Sequence, residues 1–180
     1  LDSIREQGIG TLVMITGDNR GVAEAVAREV GIDEVKAELL PEDKVEAVKE
    51  LLSRYDGVAM VGDGVNDAPA LATADVGIAM GGAGTAAALE TADVALMGDD
   101  LAGIPFTIGL SRQTRAVIRQ NLAIALAVIA LLIVATTTGI FGIGPAVVVH
   151  EGSTLLVVGN ALRLLRYRPR AGEPVPDRAE

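Results

Sequence analysis

The amino-acid sequence predicts an α/β domain built on a mostly parallel sheet, followed by an α-helical hairpin of two membrane spans. Short apolar, β-prone runs alternate with helical stretches up to about residue 104, and polar Gly-Asp loops follow two of those runs. From Gln120 to Val149 there is no Asp, Glu, Lys or Arg, which is too long an uncharged stretch for an ordinary buried helix. Charge divides in the same place. Up to Ile104 there are 20 acids and 7 bases, whereas seven further bases between Arg112 and Arg170 flank or close the apolar region. The acidic first part argues against nucleic acid as a partner, because affinity for a phosphate backbone comes from clustered Lys and Arg. With no cysteine in 180 residues, disulfides and thiolate ligands are excluded from this segment. The N-terminus has no signal-sequence pattern and opens directly in an amphipathic helix, so a truncated start is expected.

Taken in order, Thr11 to Thr16 is a strand, and Gly17-Asp18-Asn19 breaks it and offers an N-cap. Val22, Val26 and Val30 then recur at helical spacing until Gly31, a residue type suited to a left-handed helix end. A second helix starts near Pro41, with Glu42 and Asp43 at its positive end and Val45, Val48, Leu51 and Leu52 as its apolar face. Val58 to Val61, Val76 to Ala79 and Val94 to Leu96 read as further strands, the first leading into the loop Gly62 to Asp67. In a parallel α/β sheet, ligands bind beyond the carboxyl ends of the strands, where both Gly-Asp loops fall.

Beyond Asp100 a helix carries Arg112, Arg115 and Arg119 along one side. Gly139, Gly142, Gly144 and Pro145 interrupt the apolar stretch, which divides it into two spans. The expected divisions are residues 1–104 for the α/β part, 105–120 for a linking helix, 121–138 and 144–165 for the spans, and 169–180 for a disordered tail. Arg residues before the first span and after the second put both ends in the cytoplasm of a multi-pass cell-membrane protein.

The loop Gly62-Asp63-Gly64-Val65-Asn66-Asp67 offers two carboxylates and an amide around glycines, a donor set suited to Mg²⁺ coupled to a substrate phosphate, although Gly-Asp-Gly by itself also suits a plain turn. Lys44 is a cation in a first helical turn, where an acid would sit better, so an anion is expected to face it. A phosphate would serve, with Thr16 and the Gly17 amide adding hydrogen bonds. A solvated lysine is the simpler alternative.

Thr16-Gly17-Asp18-Asn19, then Pro41-Glu42-Asp43-Lys44, then GDGVNDAPAL from Gly62 to Leu71 resemble, in order and spacing, the phosphorylation domain of P-type ATPases, pumps of the haloacid-dehalogenase-like superfamily with its Rossmann-like fold. The resemblance runs from near Leu1 to about Arg168. It implies that Asp63 and Asp67 bind Mg²⁺ with Asn66 in support, that Lys44 neutralises phosphoryl oxygens, that Thr16 and Gly17 hydrogen-bond them, and that Asp18 lies near ATP. The family's phosphorylated Asp-Lys-Thr-Gly-Thr motif is not in this sequence, since Asp43-Lys44 continues as Val45-Glu46-Ala47. The nucleotide-binding domain, the Thr-Gly-Glu actuator motif and earlier membrane helices are missing too, so this segment alone is expected to be inactive and to need the N-terminal portion of the same pump.

His150, Glu151, Ser153 and Thr154 fall inside the second span, where ionisable groups are costly and usually face a bundle interior or an ion path. Imidazole with carboxylate and hydroxyl oxygens suits a borderline divalent ion such as Co²⁺, Fe²⁺ or Zn²⁺ better than Cu⁺. Helix packing through Ser, Thr and Gly152 is the alternative use. His150-Glu151-Gly152-Ser153-Thr154 resembles the last membrane helix of the cobalt-type heavy-metal pumps. Zinc/cadmium/lead pumps carry an Asp about where His150 stands and a Lys near Ile129, copper pumps a Met and Ser pattern, and the remaining ligands belong to an upstream Ser-Pro-Cys motif. The expected function is ATP-driven export of a divalent transition metal through an aspartyl-phosphate cycle. The rivals are a non-catalytic membrane subunit that binds metal or packs helices, and a membrane-anchored phosphatase.

Overall fold

In the computed structural model, residues 1–62, 66–81, 90–97 and 100–167 are described, and they belong to two units that meet in sequence at Ile104. The first unit alternates helix and strand: α1 (Asp2–Glu6), β1 (Val13–Ile15), α2 (Arg20–Val30), β2 (Glu34–Lys36), α3 (Pro41–Arg54), β3 (Ala59–Gly62), α4 (Ala68–Thr73), β4 (Val76–Met80) and β5 (Val94–Leu96). All described pairings are parallel. β1 pairs with β2, and β3, β4 and β5 form a separate three-stranded sheet in that order. The tail expected at 169–180 lies outside the described residues.

Local chemistry explains the helix ends. Asn19 caps α2 by accepting from the Gly21 amide at 2.8 Å, and Gly31 closes it in the left-handed conformation at φ 78°. Pro41 opens α3, where the Asp43 carboxylate turns back to accept from the Leu40 amide at 3.0 Å. In α2 the valine repeat marks the helix, but Val22, Val26 and Val30 are exposed and the side packed inward is Ala23 and Ala27. Small side chains let the helix backbone lie close to the strands, a preference that valine periodicity does not register. The polar strand Glu34–Lys36 was not expected from the sequence: its three residues are too few and too hydrophilic to signal, and it exists through pairing with β1.

The core joins both sheets through α3 and α4. Val48, Met60, Ala70 and Leu71 are buried together, and Ile15, Val45, Leu52 and Ala74 pack against them. Burial of a side chain such as Leu71 contributes about 1.5–3 kcal/mol. α4 lies so close to β4 that a Cβ on Gly77 would stand 2.8 Å from the Leu71 carbonyl oxygen. At the edge, Arg5 donates to both carboxylate oxygens of Asp33 at 2.9 Å and to the Gly31 carbonyl at 2.7 Å, while the Leu12 amide donates to Asp33 Oδ2 at 2.7 Å. The Leu12 amide first, and the Arg5 guanidinium second, hold the Asp33 carboxyl below its usual range.

The second unit is a helical hairpin. α5 (Gly103–Thr137) is one unbroken helix of 35 residues, and α6 (Ile143–Leu162) returns and tightens into a 3-10 turn over Arg163–Arg166. Both helices are long and apolar enough to cross a membrane. The hydroxyls of Thr136, Thr137 and Thr138 bond back to carbonyls of their own helix at 2.6–2.7 Å, and Gly139 at φ 77° lets the chain turn. The turn from Thr138 to Gly142 carries no charge. Inward positions follow a three- and four-residue rhythm: Asn121, Ile124, Val128, Leu132 and Ala135 on α5, and Ala146, Val149, Ser153, Val157 and Asn160 on α6. The outer faces expose Leu126, Leu131, Leu155 and Leu156 among others, as lipid or neighbouring helices require. Tyr167 returns to Phe106, with ring centroids 5.6 Å apart in an edge-on contact.

Two outcomes are expected for the first unit. Gly77→Ala should destabilise it by about 1–3 kcal/mol through overpacking against the Leu71 carbonyl, measured as a lower urea midpoint. Because the folded Asp33 carboxyl titrates below its unfolded value, the stability it adds is present above the unfolded value and is lost as pH falls through the folded one. Asp33→Asn should therefore lower the melting temperature at neutral pH and flatten the decline toward acid, as followed by circular dichroism.

Candidate functional site

The first candidate site lies at the carboxyl ends of β1 and β3. Thr16 directly follows β1, and its amide donates to the Lys36 carbonyl at 2.9 Å, which continues the β1–β2 ladder by one residue. Its hydroxyl donates to Asp18 Oδ2 and accepts from the Asp18 amide, both at 3.1 Å. The Thr16-Gly17-Asp18 turn is also held from the β2–α3 connection: Leu39 N–H donates to the Thr16 carbonyl at 3.2 Å and Glu38 N–H to the Asp18 carbonyl at 3.0 Å. A Cβ on Gly17 would stand 3.1 Å from the Leu39 carbonyl oxygen, so this approach favours glycine. Glu38 reaches its position with φ 63°, in the left-handed region that few non-glycine residues occupy. Nothing in its residue type announces that conformation, and sequence reasoning missed it.

Lys44 and Asp67 meet. The ammonium of Lys44 in the first turn of α3 lies 2.6 Å from Asp67 Oδ1, with the two side chains 16% and 15% exposed. An anion facing this lysine was expected from the sequence, and in this structure it is a carboxylate of the chain itself. Asp67 stands just before α4, where its carbonyl accepts from the Leu71 amide at 2.8 Å. Its side chain folds over the end of β3 so tightly that a Cβ on Gly62 would come 2.9 Å from Oδ2. Asn66 is exposed beside it, and Asp63 lies outside the described residues. A hard, partly buried carboxylate with one oxygen on an ammonium and the other at a strand end suits a cation that also engages phosphate, so the donor chemistry fits Mg²⁺.

The second candidate group is on α6. His150, Glu151 and Thr154 are exposed on the hairpin, whereas Ser153 is half-buried on the side facing α5 and donates to the His150 carbonyl at 2.6 Å. The four residues therefore divide. His150 and Thr154 share one flank of the helix, Glu151 lies further round, and the Ser153 hydroxyl is engaged by its own backbone. Among the described residues, no group of three or more His, Cys, Asp or Glu side chains comes together to hold a metal ion.

Known proteins resemble the chain along most of its length. A family model described as haloacid dehalogenase-like hydrolase matches residues 1–75. A probable cadmium-transporting ATPase of Alkalihalophilus pseudofirmus is 51% identical over 168 residues, covering 93% of this chain and 23% of that protein. A cadmium-transporting ATPase of Staphylococcus aureus is 48% identical over 94% of this chain and 23% of its own length. The crystal structure of a zinc-transporting PIB-type ATPase in the E2.Pi state superposes with a TM-score of 0.80 at 50% identity, covering 92% of this chain and 27% of that one. The chain belongs to the heavy-metal P-type ATPases. It spans about a quarter of the length of these relatives. In this P-type ATPase chain the parallel α/β unit is the haloacid-dehalogenase-like part, and the two apolar helices correspond to membrane helices of the pumps.

Lys44→Met should leave Asp67 partly buried without its cation, at a cost of about 1–3 kcal/mol. Adding Asp67→Asn should recover part of that loss, which a double-mutant cycle on urea unfolding would measure.

Proposed function

We propose that this chain supplies part of the phosphoryl-transfer site and two membrane helices of an ATP-driven exporter of divalent transition metal ions, of the Co²⁺, Zn²⁺ or Fe²⁺ kind. The observation that carries the reading is continuity: the chain that joins Lys44 to Asp67 continues through a single 35-residue helix into an apolar hairpin bearing His150 and Glu151. The close relationship to cadmium- and zinc-transporting ATPases supports the coarser part of it. The donor set of α6 supports the finer part, because imidazole, carboxylate and hydroxyl groups together make a borderline ligand set.

In this mechanism an aspartate on another part of the pump accepts the phosphoryl group of ATP. Asp67, with Asp63 and with Asn66 in support, would hold Mg²⁺, which supplies charge neutralisation when bound. Lys44, released from Asp67 by the arriving phosphate, turns its ammonium to the phosphoryl oxygens. Thr16 and the Gly17 amide donate to those oxygens, and Asp18 orients the Thr16 hydroxyl near the nucleotide. The hairpin lies in the cell membrane with the α/β unit and the C-terminus in the cytoplasm, since Arg112, Arg115 and Arg119 precede the first span and Arg163 and Arg166 follow the second. His150 and Glu151 then offer ligands to the transported ion from a helix side that α5 leaves open, so further helices complete the site. Metal release is coupled to phosphorylation as two states that each site biases.

In the intact pump, His150→Ala should lower metal-stimulated ATP hydrolysis by about tenfold or more while phosphorylation from inorganic phosphate persists. Undiminished stimulation by Zn²⁺ and Co²⁺ would remove His150 from the ion path.

A further inference from the structure

The hairpin seam is apolar except at one level. Between Ile124 and Ala135 on α5, and between Ala146 and Val157 on α6, the inward side chains are aliphatic apart from Ser153, whose hydroxyl bonds to its own helix. Such a seam specifies alignment weakly, because moving one helix past the other by a turn, about 5.4 Å, exchanges one aliphatic neighbour for another. The turn from Thr138 to Gly142 pins one end. At the other end Asn160 Nδ2 donates to Asn121 Oδ1 at 2.8 Å and to Gln120 Oε1 at 3.2 Å. The Arg163 guanidinium donates to Asn160 Oδ1 at 2.8 Å and to Gln120 Oε1 at 3.4 Å. Asn160 is the hub, using its amide as donor toward α5 and its carbonyl as acceptor toward Arg163.

We propose that the Asn160 amide, clasped to Asn121 and Gln120 on α5 and to Arg163 on its own helix, is a positioning device that fixes the register and rotation of α6. The inference rests on the pump reading above in one respect, that the rotation of α6 sets where His150 and Glu151 point. A polar pair within an aliphatic helix seam selects one alignment because every other alignment leaves an amide unpaired in apolar surroundings. Asn121 and Asn160 are both half-buried on the inward faces, so their shared bond is partly shielded from water. An aspartate at either position could still accept from the facing amide, which is free to turn its NH2 toward it. Leucine at either position removes the shared bond outright and leaves the other amide without its partner across the seam.

The test uses the intact pump reconstituted in lipid, with ATP hydrolysis measured against Zn²⁺ and Co²⁺ concentration. Asn160→Leu and Asn121→Leu should each raise the half-saturating metal concentration about fivefold or more, and the double variant should go little beyond Asn160→Leu alone, because both remove the same bond. Multiplying shifts in the double variant, or no shift in Asn160→Leu, would overturn the clasp. If Asn160→Leu does not accumulate in membranes, Asn160→Ser, which keeps a small polar group but cannot reach Asn121, should show the same raised requirement, and a normal one would overturn the clasp. A wild-type pump with no metal-stimulated turnover would sink the pump reading instead. The clasp would then be judged by melting in detergent, where the two leucine substitutions must be non-additive to sustain it.

Discussion

The ion pair between Lys44 and Asp67 ties together two sheets that share no described strand pairing. Lys44 belongs to the helix that leaves β2, and Asp67 to the loop that leaves β3. Around them Ile15 from β1, Val45 and Val48 from α3, and Met60 and Leu71 from β3 and α4 form one packed cluster. An ammonium and a carboxylate largely out of water are stable only while each keeps the other or gains an equivalent partner. The pair thus helps hold the strand ends in place.

Much of this arrangement was legible in the sequence. Alternating strands and helices, the Asn19 cap, the Gly31 helix end and the Pro41 start all follow from local residue chemistry, and the motifs beginning at Thr16 and Gly62 fall at the ends of β1 and β3. Legibility failed where structure comes from partners distant in sequence. β2 is a strand because β1 lies beside it, and Glu38 adopts a left-handed backbone because Asp18 and Thr16 hold the residues around it. Val22, Val26 and Val30 show the opposite limit. A sequence period identifies a helix, but side-chain size decides that Ala23 and Ala27 face inward.

The hairpin follows different rules, because its surroundings are apolar on nearly every side. Exposure of Leu155 at 74% and Leu156 at 65% would be a defect on a water-soluble helix, and here it is the matching surface for lipid or another helix. Hydrophobicity no longer tells the inside from the outside. That distinction passes to spacing and to a few polar atoms, and so Asn121, Ser153 and Asn160 could be recognised as inward only once the two helices were seen together.

The neutral turn between the spans has a consequence for how the hairpin enters a membrane. A loop that must cross to the far side carries its charges through hydrocarbon, and each Lys, Arg or Asp adds about 2.5–3.5 kcal/mol at the bilayer centre. From Gln120 to Val149 this chain has none, and the three threonines at the end of α5 have already satisfied their hydroxyls on their own carbonyls. The two helices are therefore suited to entering a membrane as one preformed body during synthesis.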